Sequence, residues 1–235
     1  MNVFRRRELK FLLDSVQREE IEVLLRQRME PDKYGHSTIC NLYYDTPDFR
    51  LIRRSLEKPV YKEKLRLRSY GQVNTGVDVF LEMKKKYKGI VYKRRVRVTQ
   101  EQAMAFMSFA APLPQDSQIG RELTYFRDFY RNLAPRVYLC YDREAWYDPA
   151  DMGFRMTLDR NVRYRMEDLS LLSPPGGVLL LPPELSLLEV KTAGGIPTWL
   201  MEHLSSAGIY KQSFSKYGKA YLQLLSESRG HTHAG

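Results

Sequence analysis

The sequence predicts an α+β fold: an eight-stranded antiparallel β-barrel with helices packed outside it and a C-terminal capping helix. Three observations carry this expectation. Residues 62–97 hold three successive runs of period-two alternation, Lys64-Leu65-Arg66-Leu67-Arg68, Phe80-Leu81-Glu82-Met83-Lys84 and Tyr92-Lys93-Arg94-Arg95-Val96-Arg97. A period of two sorts side chains onto the two faces of a strand. The joining stretches, 71–76 and 87–89, are short and turn-like, which makes these strands antiparallel neighbours. Eight strand-like segments in all, with charge on one face, suit a closed sheet that leaves no edge and encloses a polar lumen.

In chain order, the first strand spans 3–12, with Arg6, Glu8 and Lys10 on one face and Leu9 and Phe11 on the other. Asp14 caps a helix that runs to about residue 29. Pro31 to Gly35 is a break before a second strand, 36–45, rich in β-branched and aromatic residues. Thr46-Pro47-Asp48 puts proline in the first turn of a short helix to about residue 58. The basic strands follow at 61–70, 77–86 and 89–98. Thr99 caps a helix to about residue 109, residues 110–117 form a loop, and a further helix spans 119–133 until Pro135 ends it. Strands at 137–147 and 154–163 come next, the latter with Arg155, Thr157 and Asp159 on one face. Residues 171–183 carry four prolines and two glycines and read as a loop around the apolar run 178–181. The last strand, 186–192, puts Glu189 and Lys191 on one face. Helices at 197–207 and 215–226 complete one domain over 1–227, and residues 228–235 read as a disordered tail. No internal repeat or linker divides the chain.

The 235 residues can bury a sizeable core, and a hydrophobic fraction of 43% with 12% aromatics is globular rather than disordered. No apolar run approaches the ~20 residues of a spanning helix, and residues 1–10 lack the apolar segment of a signal peptide. Cys40 and Cys140 lie in apolar strand-like surroundings and read as buried free thiols, which favours a cytoplasmic location. The four histidines are scattered, and no Ser-His-Asp or Cys-His set is visible. Gly194-Gly195 lacks the Lys-Ser/Thr of a phosphate loop and reads as the lead into a helix. Packing in the core outweighs base stacking for Tyr43 and Tyr44. The formal net charge of +10 points to an anionic partner: nucleic acid, a membrane surface or a polyanionic small ligand. Residues 62–97 alone hold seven lysines and five arginines against three acids. Arg66 and Arg68 share a face, as do Glu82 and Lys84, and Lys93 and Arg95. A solvated surface sheet also alternates, but three successive cation-bearing runs favour a face that holds a multiply charged anion. With no aromatic ribonucleoprotein-type run and no basic helix, no nucleic-acid partner is expected.

Nine segments in order, FRRRELKFL, NLYYD, KLRLRSYG, FLEMK, KRRV, YDREAW, FRMTLD, LEVK and FSKYG, together resemble the VTC domain. That is the catalytic domain of the vacuolar transporter chaperone polyphosphate polymerase, within the CYTH-like triphosphate tunnel metalloenzymes. The resemblance implies an eight-stranded tunnel whose basic wall is Lys10, Arg66, Arg68, Lys84, Lys93, Arg143 and Arg155. Lys191 and Lys216 would bind substrate, and Glu189 would hold Mn²⁺ or Mg²⁺. It further implies ATP and polyphosphate as partners, pyrophosphate or phosphate as a primer, and a membrane protein as a possible associate. The family often has a second basic residue near Ser213, where Lys211 is the nearest here.

Phosphoryl transfer asks the protein for in-line positioning and neutralised charge on the non-bridging oxygens. Arginine suits this because its planar fork engages two phosphate oxygens and stays charged. Divalent Mg²⁺ or Mn²⁺ takes one or two carboxylates plus phosphate oxygens. Glu8 and Glu82 are further metal-ligand candidates, with a salt bridge to a neighbouring Lys or Arg as the equal alternative. Sister families open with Glu-x-Glu-x-Lys. Here Arg6 replaces the first glutamate, which favours holding a long polyanion over activating water. Three readings stay open: a polymerase, a hydrolase of inorganic or nucleoside triphosphate, and a non-catalytic polyphosphate- or nucleotide-binding module.

Overall fold

A computed structural model describes residues 7–88 and 90–231. In chain order the elements are β1 (Arg7–Leu13), α1 (Ser15–Arg28), β2 (Glu30–Asp45), α2 (Arg50–Leu56), β3 (Tyr61–Tyr70), β4 (Asp78–Tyr87), β5 (Ile90–Thr99), α3 (Gln100–Met107), α4 (Gln118–Tyr130), β6 (Ala134–Tyr147), β7 (Arg155–Arg165), β8 (Val178–Leu179), β9 (Ser186–Thr192), α5 (Thr198–Ser206) and α6 (Lys216–His231). The fold is α+β with an antiparallel sheet. The expected strand residues 3–6, the turn residue 89 and the tail residues 232–235 lie outside the described residues.

The chain forms two compact units. The first takes in residues up to Thr38, Tyr141–Arg163 and Leu179–Phe214; the second takes in Ile39–Cys140, Tyr164–Val178 and the chain from Ser215. In the first unit, hydrogen-bonded neighbours run β1–β9–β7–β6, and β8 pairs with β7. Register places Glu8 opposite Lys191 and Lys10 opposite Glu189. Arg155 stands opposite Lys191 and Thr157 opposite Glu189. The alternate residues Phe11, Leu13, Met156, Leu158, Leu188 and Val190 form the apolar face, closed by Ile21 and Leu25 of α1 and Leu200 and Leu204 of α5. A capping box at Asp14 and Gln17 starts α1. The Gln17 side chain also donates to the Ala207 carbonyl at 3.1 Å, which fixes α1 against the end of α5.

In the second unit the neighbours run β6–β2–β3–β4–β5. Gly71 (φ 79°) and Gly76 (φ 81°) take the left-handed backbone that the turn between β3 and β4 needs. The core face is Leu42, Tyr44, Leu65, Leu67, Leu81 and Met83, covered by Phe106 and Met107 of α3 and Leu123 and Phe126 of α4. Cys40 and Cys140 are buried free thiols in this core, as expected.

Five stretches differ from the sequence reading. Helix α4 ends at Tyr130 rather than near residue 133, and Pro135 lies within β6. Residues 31–35 belong to β2 rather than to a break. Pro31 is the second residue of the strand, close to the start that proline tolerates, and Gly35 (φ 51°) supplies a local kink. The helix expected from Pro47 begins only at Arg50, after Phe49 in the left-handed region. Asp45 accepts from the backbone N–H groups of Leu51 and Ile52, and Thr46 Oγ1 from that of Arg50, so side chains define the helix start. The apolar run at 178–181 contributes the short strand β8, with Leu180 N–H donating to the Val162 carbonyl at 2.7 Å. Helix α6 continues through Ser228 to His231.

Candidate functional site

The charged face of the first unit follows directly from its register. Strands β1, β9 and β7 present Glu8 and Lys10, Glu189 and Lys191, and Arg155, Thr157 and Asp159 on the side opposite the apolar core. Lys10 Nζ lies 3.2 Å from Glu8 and 3.4 Å from Glu189, and donates to the Phe214 carbonyl at 3.0 Å. Arg143 on β6 grips the fully buried Asp159 with both arms of its guanidinium, at 2.6 and 2.7 Å, and reaches Glu189 at 3.4 Å. Burial opposes the Arg143 charge, but Asp159, Tyr141 and Glu189 hold its pKa well above the ordinary arginine value. Lys191 Nζ is 3.6 Å from Glu189. Glu189 therefore sits at the centre of three cations. Arg155 is exposed at the rim of the same face.

In the second unit β2, β3, β4 and β5 present Asn41 and Tyr43; Lys64, Arg66, Arg68 and Tyr70; Phe80, Glu82 and Lys84; and Lys93 and Arg95. Glu82 is 1% exposed and is the hub. Arg66 donates to its Oε2 from Nε (3.0 Å) and Nη2 (2.8 Å), Lys93 Nζ reaches its Oε1 at 2.6 Å, and Arg68 Nε lies 3.9 Å away. Burial pushes the Glu82 carboxyl up, but Arg66, Arg68 and Lys93 outweigh it and hold the pKa at about 2. Lys93 is pulled down to about 8 by burial, with Arg68 and Arg66 adding to the effect against Glu82. Arg68 is fixed by donating to Asn41 Oδ1 at 2.9 Å, and Arg66 by donating to the Tyr43 hydroxyl at 3.1 Å.

Lys64, Lys84 and Lys93 stand directly opposite one another across three strands. Like charges in register destabilise a sheet, so this ladder is a cost that an anion lying over it removes. Lys64 Nζ also donates to Ser215 Oγ at 2.9 Å, next to Lys216, which is buried at the start of α6.

Every expected cation and acid lies on one of these two faces or at the α6 start. The first unit gathers Glu8, Lys10, Arg143, Arg155, Glu189 and Lys191; the second gathers Arg66, Arg68, Glu82, Lys84, Lys93 and Lys216. Glu82 is held in ion pairs at 2.6–3.0 Å on both oxygens, tighter than the 3.4–3.6 Å at which Lys10, Arg143 and Lys191 surround Glu189, so Glu189 is the more available metal ligand. Glu8 is paired with Lys10. Sequence reasoning missed Lys64, Ser215, Tyr43 and Asp159. Lys64 was legible, since it continues the Lys64-Arg66-Arg68 alternation; the other three are defined by partners far away in sequence. Thr157, buried opposite Glu189, has an Oγ1 without a hydrogen-bond partner among the described residues.

For a divalent metal, Glu189 and Glu8 are the fitting donors: two carboxylates on one face that share the Lys10 ammonium. Among the described residues no group of three or more His, Cys, Asp or Glu side chains is placed to hold a metal by itself. That donor set suits an ion that keeps several waters and is completed by phosphate oxygens.

The VTC domain profile matches residues 5–225, and the chain belongs to the VTC domain family. Among solved structures, a candidate adenylate cyclase from Bacillus halodurans superposes with a TM-score of 0.54 at 15% identity, covering 91% of this chain and 94% of that one. A candidate adenylyl cyclase from Hippeastrum, described as having a dominant triphosphatase activity, gives 0.50 at 14% identity, covering 89% and 92%. At such identities the likeness is one of fold. No curated protein sequence matches the chain.

Proposed function

We propose that this chain is an ATP-dependent polyphosphate polymerase whose basic sheet faces bind the phosphate chain. The observation that carries the reading is the Lys64–Lys84–Lys93 ladder beside Arg66 and Arg68. Several fixed cations spaced along neighbouring strands suit a chain of phosphates better than a single phosphate. Family membership supports the same substrate class.

In the proposed reaction a terminal oxygen of the growing chain attacks the γ-phosphorus of ATP, the bond from that phosphorus to the ADP oxygen breaks, and ADP leaves. Arg66, Arg68, Arg143 and Arg155 neutralise the charge that spreads onto the non-bridging oxygens. Lys10, Lys84, Lys93, Lys191 and Lys216 supply point charges that keep donor and acceptor in line. Glu189 and Glu8 would hold Mn²⁺ or Mg²⁺, which supplies further charge neutralisation on the transferring group when bound. Glu82 orients Arg66 and Lys93. Pyrophosphate or phosphate would prime the chain.

Incubation with ATP and Mn²⁺ or Mg²⁺ is expected to release ADP without an equal amount of orthophosphate, the difference appearing as polymer. A second reading, a tunnel triphosphatase, is favoured by one feature: Glu8 and Glu189 give two carboxylates on one lysine, as water activation by a metal would use. Orthophosphate equal to ADP would establish that reading instead. Tight triphosphate binding with neither product would establish a binding module. A cytoplasmic location and a membrane-protein partner remain part of the proposal; no described helix is long and apolar enough to cross a membrane.

A further inference from the structure

At one end of the cationic face of the second unit β3 and β4 change from charged to aromatic side chains, with Arg97 of β5 opposite Phe80 and paired with Asp78. Beyond Arg68 on β3 comes Tyr70, and beyond Glu82 on β4 comes Phe80, both with the side-chain parity of the cations. Tyr70 meets Phe80 edge-on, with centroids 6.1 Å apart at 86°. Arg95, on the same face of β5, lays its guanidinium over the Phe80 ring at 4.7 Å. Tyr70 is 44% exposed, although it stands on a face that binds anions and not in the core. A guanidinium stacked on one ring, with a second ring standing at right angles beside it, offers planar groups on which a nucleobase stacks.

We propose that Tyr70, Phe80 and Arg95 form a nucleobase subsite for the nucleoside triphosphate whose phosphates lie on Arg66, Arg68, Lys84 and Lys93. This rests on the reading of that face as a triphosphate site. The spacing suits it: Lys84 is four residue steps along β4 from Phe80, about 13 Å of strand, which an extended nucleotide spans from base to terminal phosphate. Phe80 backs the platform, Arg95 and the exposed face of Tyr70 take the base, and Arg95 stands directly opposite Glu82 across the strands. The recognition is by stacking and not by the hydrogen-bonding edge of the base. The subsite therefore distinguishes nucleotide from inorganic triphosphate, prefers purines for their larger ring area, and accepts adenine and guanine alike.

The test compares binding of ATP, GTP, CTP and inorganic tripolyphosphate by calorimetry to the wild-type chain and to Tyr70→Ala and Phe80→Leu. Stacking of one base is worth roughly tenfold in affinity or more. ATP and GTP are expected within about threefold of each other, CTP weaker, and each variant is expected to lose about tenfold for ATP while tripolyphosphate binding stays unchanged. Equal losses for ATP and tripolyphosphate, or no loss for ATP, overturn the subsite while leaving the triphosphate reading intact. If the wild-type chain binds neither ATP nor tripolyphosphate, the reading of the face fails and the subsite with it. Phe80→Leu keeps an apolar side chain on β4, so a folding defect in Tyr70→Ala does not decide the result.

Discussion

At the scale of single residues, the two faces share a construction: one buried carboxylate fixes the cations around it. Glu82 does this for Arg66 and Lys93, and Asp159 with Glu189 does it for Arg143. Arg66→Ala is expected to abolish polymer synthesis and, because it leaves the buried Glu82 without its two-armed partner, to lower the thermal midpoint while the chain still folds; unchanged synthesis would contradict its place on the phosphate wall. Glu189→Gln is expected to lose metal-dependent activity and to keep tripolyphosphate binding, as calorimetry would show; loss of the folded state would make Glu189 structural. Glu82 also makes a pH prediction. Its carboxyl has a folded pKa of about 2, below the ordinary 4.5. It therefore contributes stability that is fully present above pH 4.5 and is lost as pH falls toward 2, roughly 3 kcal/mol in total. Acid titration of the denaturant midpoint should show that loss in the wild-type chain, and Glu82→Gln should lack it. Lys93 titrates in the other window. With its pKa at about 8, tripolyphosphate binding near pH 8 should take up about half a proton per site as the bound anion restores the ammonium. Buffers of different ionisation enthalpy would measure this, and zero uptake would place Lys93 away from the ligand.

At the scale of elements, α2, α6 and the Arg66 strand meet in one buried chain of contacts. Asp45 accepts from Leu51 and Ile52 at the start of α2 and from the Tyr217 hydroxyl of α6 at 2.8 Å. Burial and the Asp45 carboxylate both raise the Tyr217 pKa, which keeps that phenol as donor. Tyr217 stacks on Tyr43 at 4.6 Å, and the Tyr43 hydroxyl accepts from Arg66. Tyr43→Phe is expected to weaken tripolyphosphate binding about fivefold without changing its salt dependence, since no charge is lost, and to add nothing in an Arg66→Ala background. Additive losses would mean that Tyr43 does not act through Arg66. This linkage shows where sequence reading stops. The strands were legible because a half-buried strand must alternate, and the caps at Asp14 and Thr99 were legible because capping is local. The late start of α2 was not, because Asp45 and Thr46 take its first N–H groups in place of the proline-led turn. Strand β8 was hidden by the prolines and glycines on either side of it. Which acid serves which cation depends on cross-strand register: Glu82 belongs to Arg66 only because β3 and β4 pair at those residues.

At the scale of the whole molecule, the charge inventory has a structural reason. Most of the net charge of +10 falls on β3, β4 and β5, where the outward alternation of each strand is spent on cations and the inward one on a core of leucine, methionine and aromatic side chains. Such a face concentrates anions and loses affinity as salt screens it. Affinity for long polyphosphate should therefore fall more steeply with salt than affinity for ATP, which fewer cations contact. Equal slopes, measured by filter binding across a salt series, would mean that a long chain engages no more of the wall than a nucleotide does. The central claim is that the cationic faces elongate a phosphate chain. The most direct test is to incubate the purified chain with ATP and Mn²⁺ or Mg²⁺ and resolve the products on a polyacrylamide gel stained for polyphosphate. A ladder of chains lengthening with time, absent for Arg66→Ala, is the predicted result; free phosphate with no ladder from the wild-type chain would contradict it.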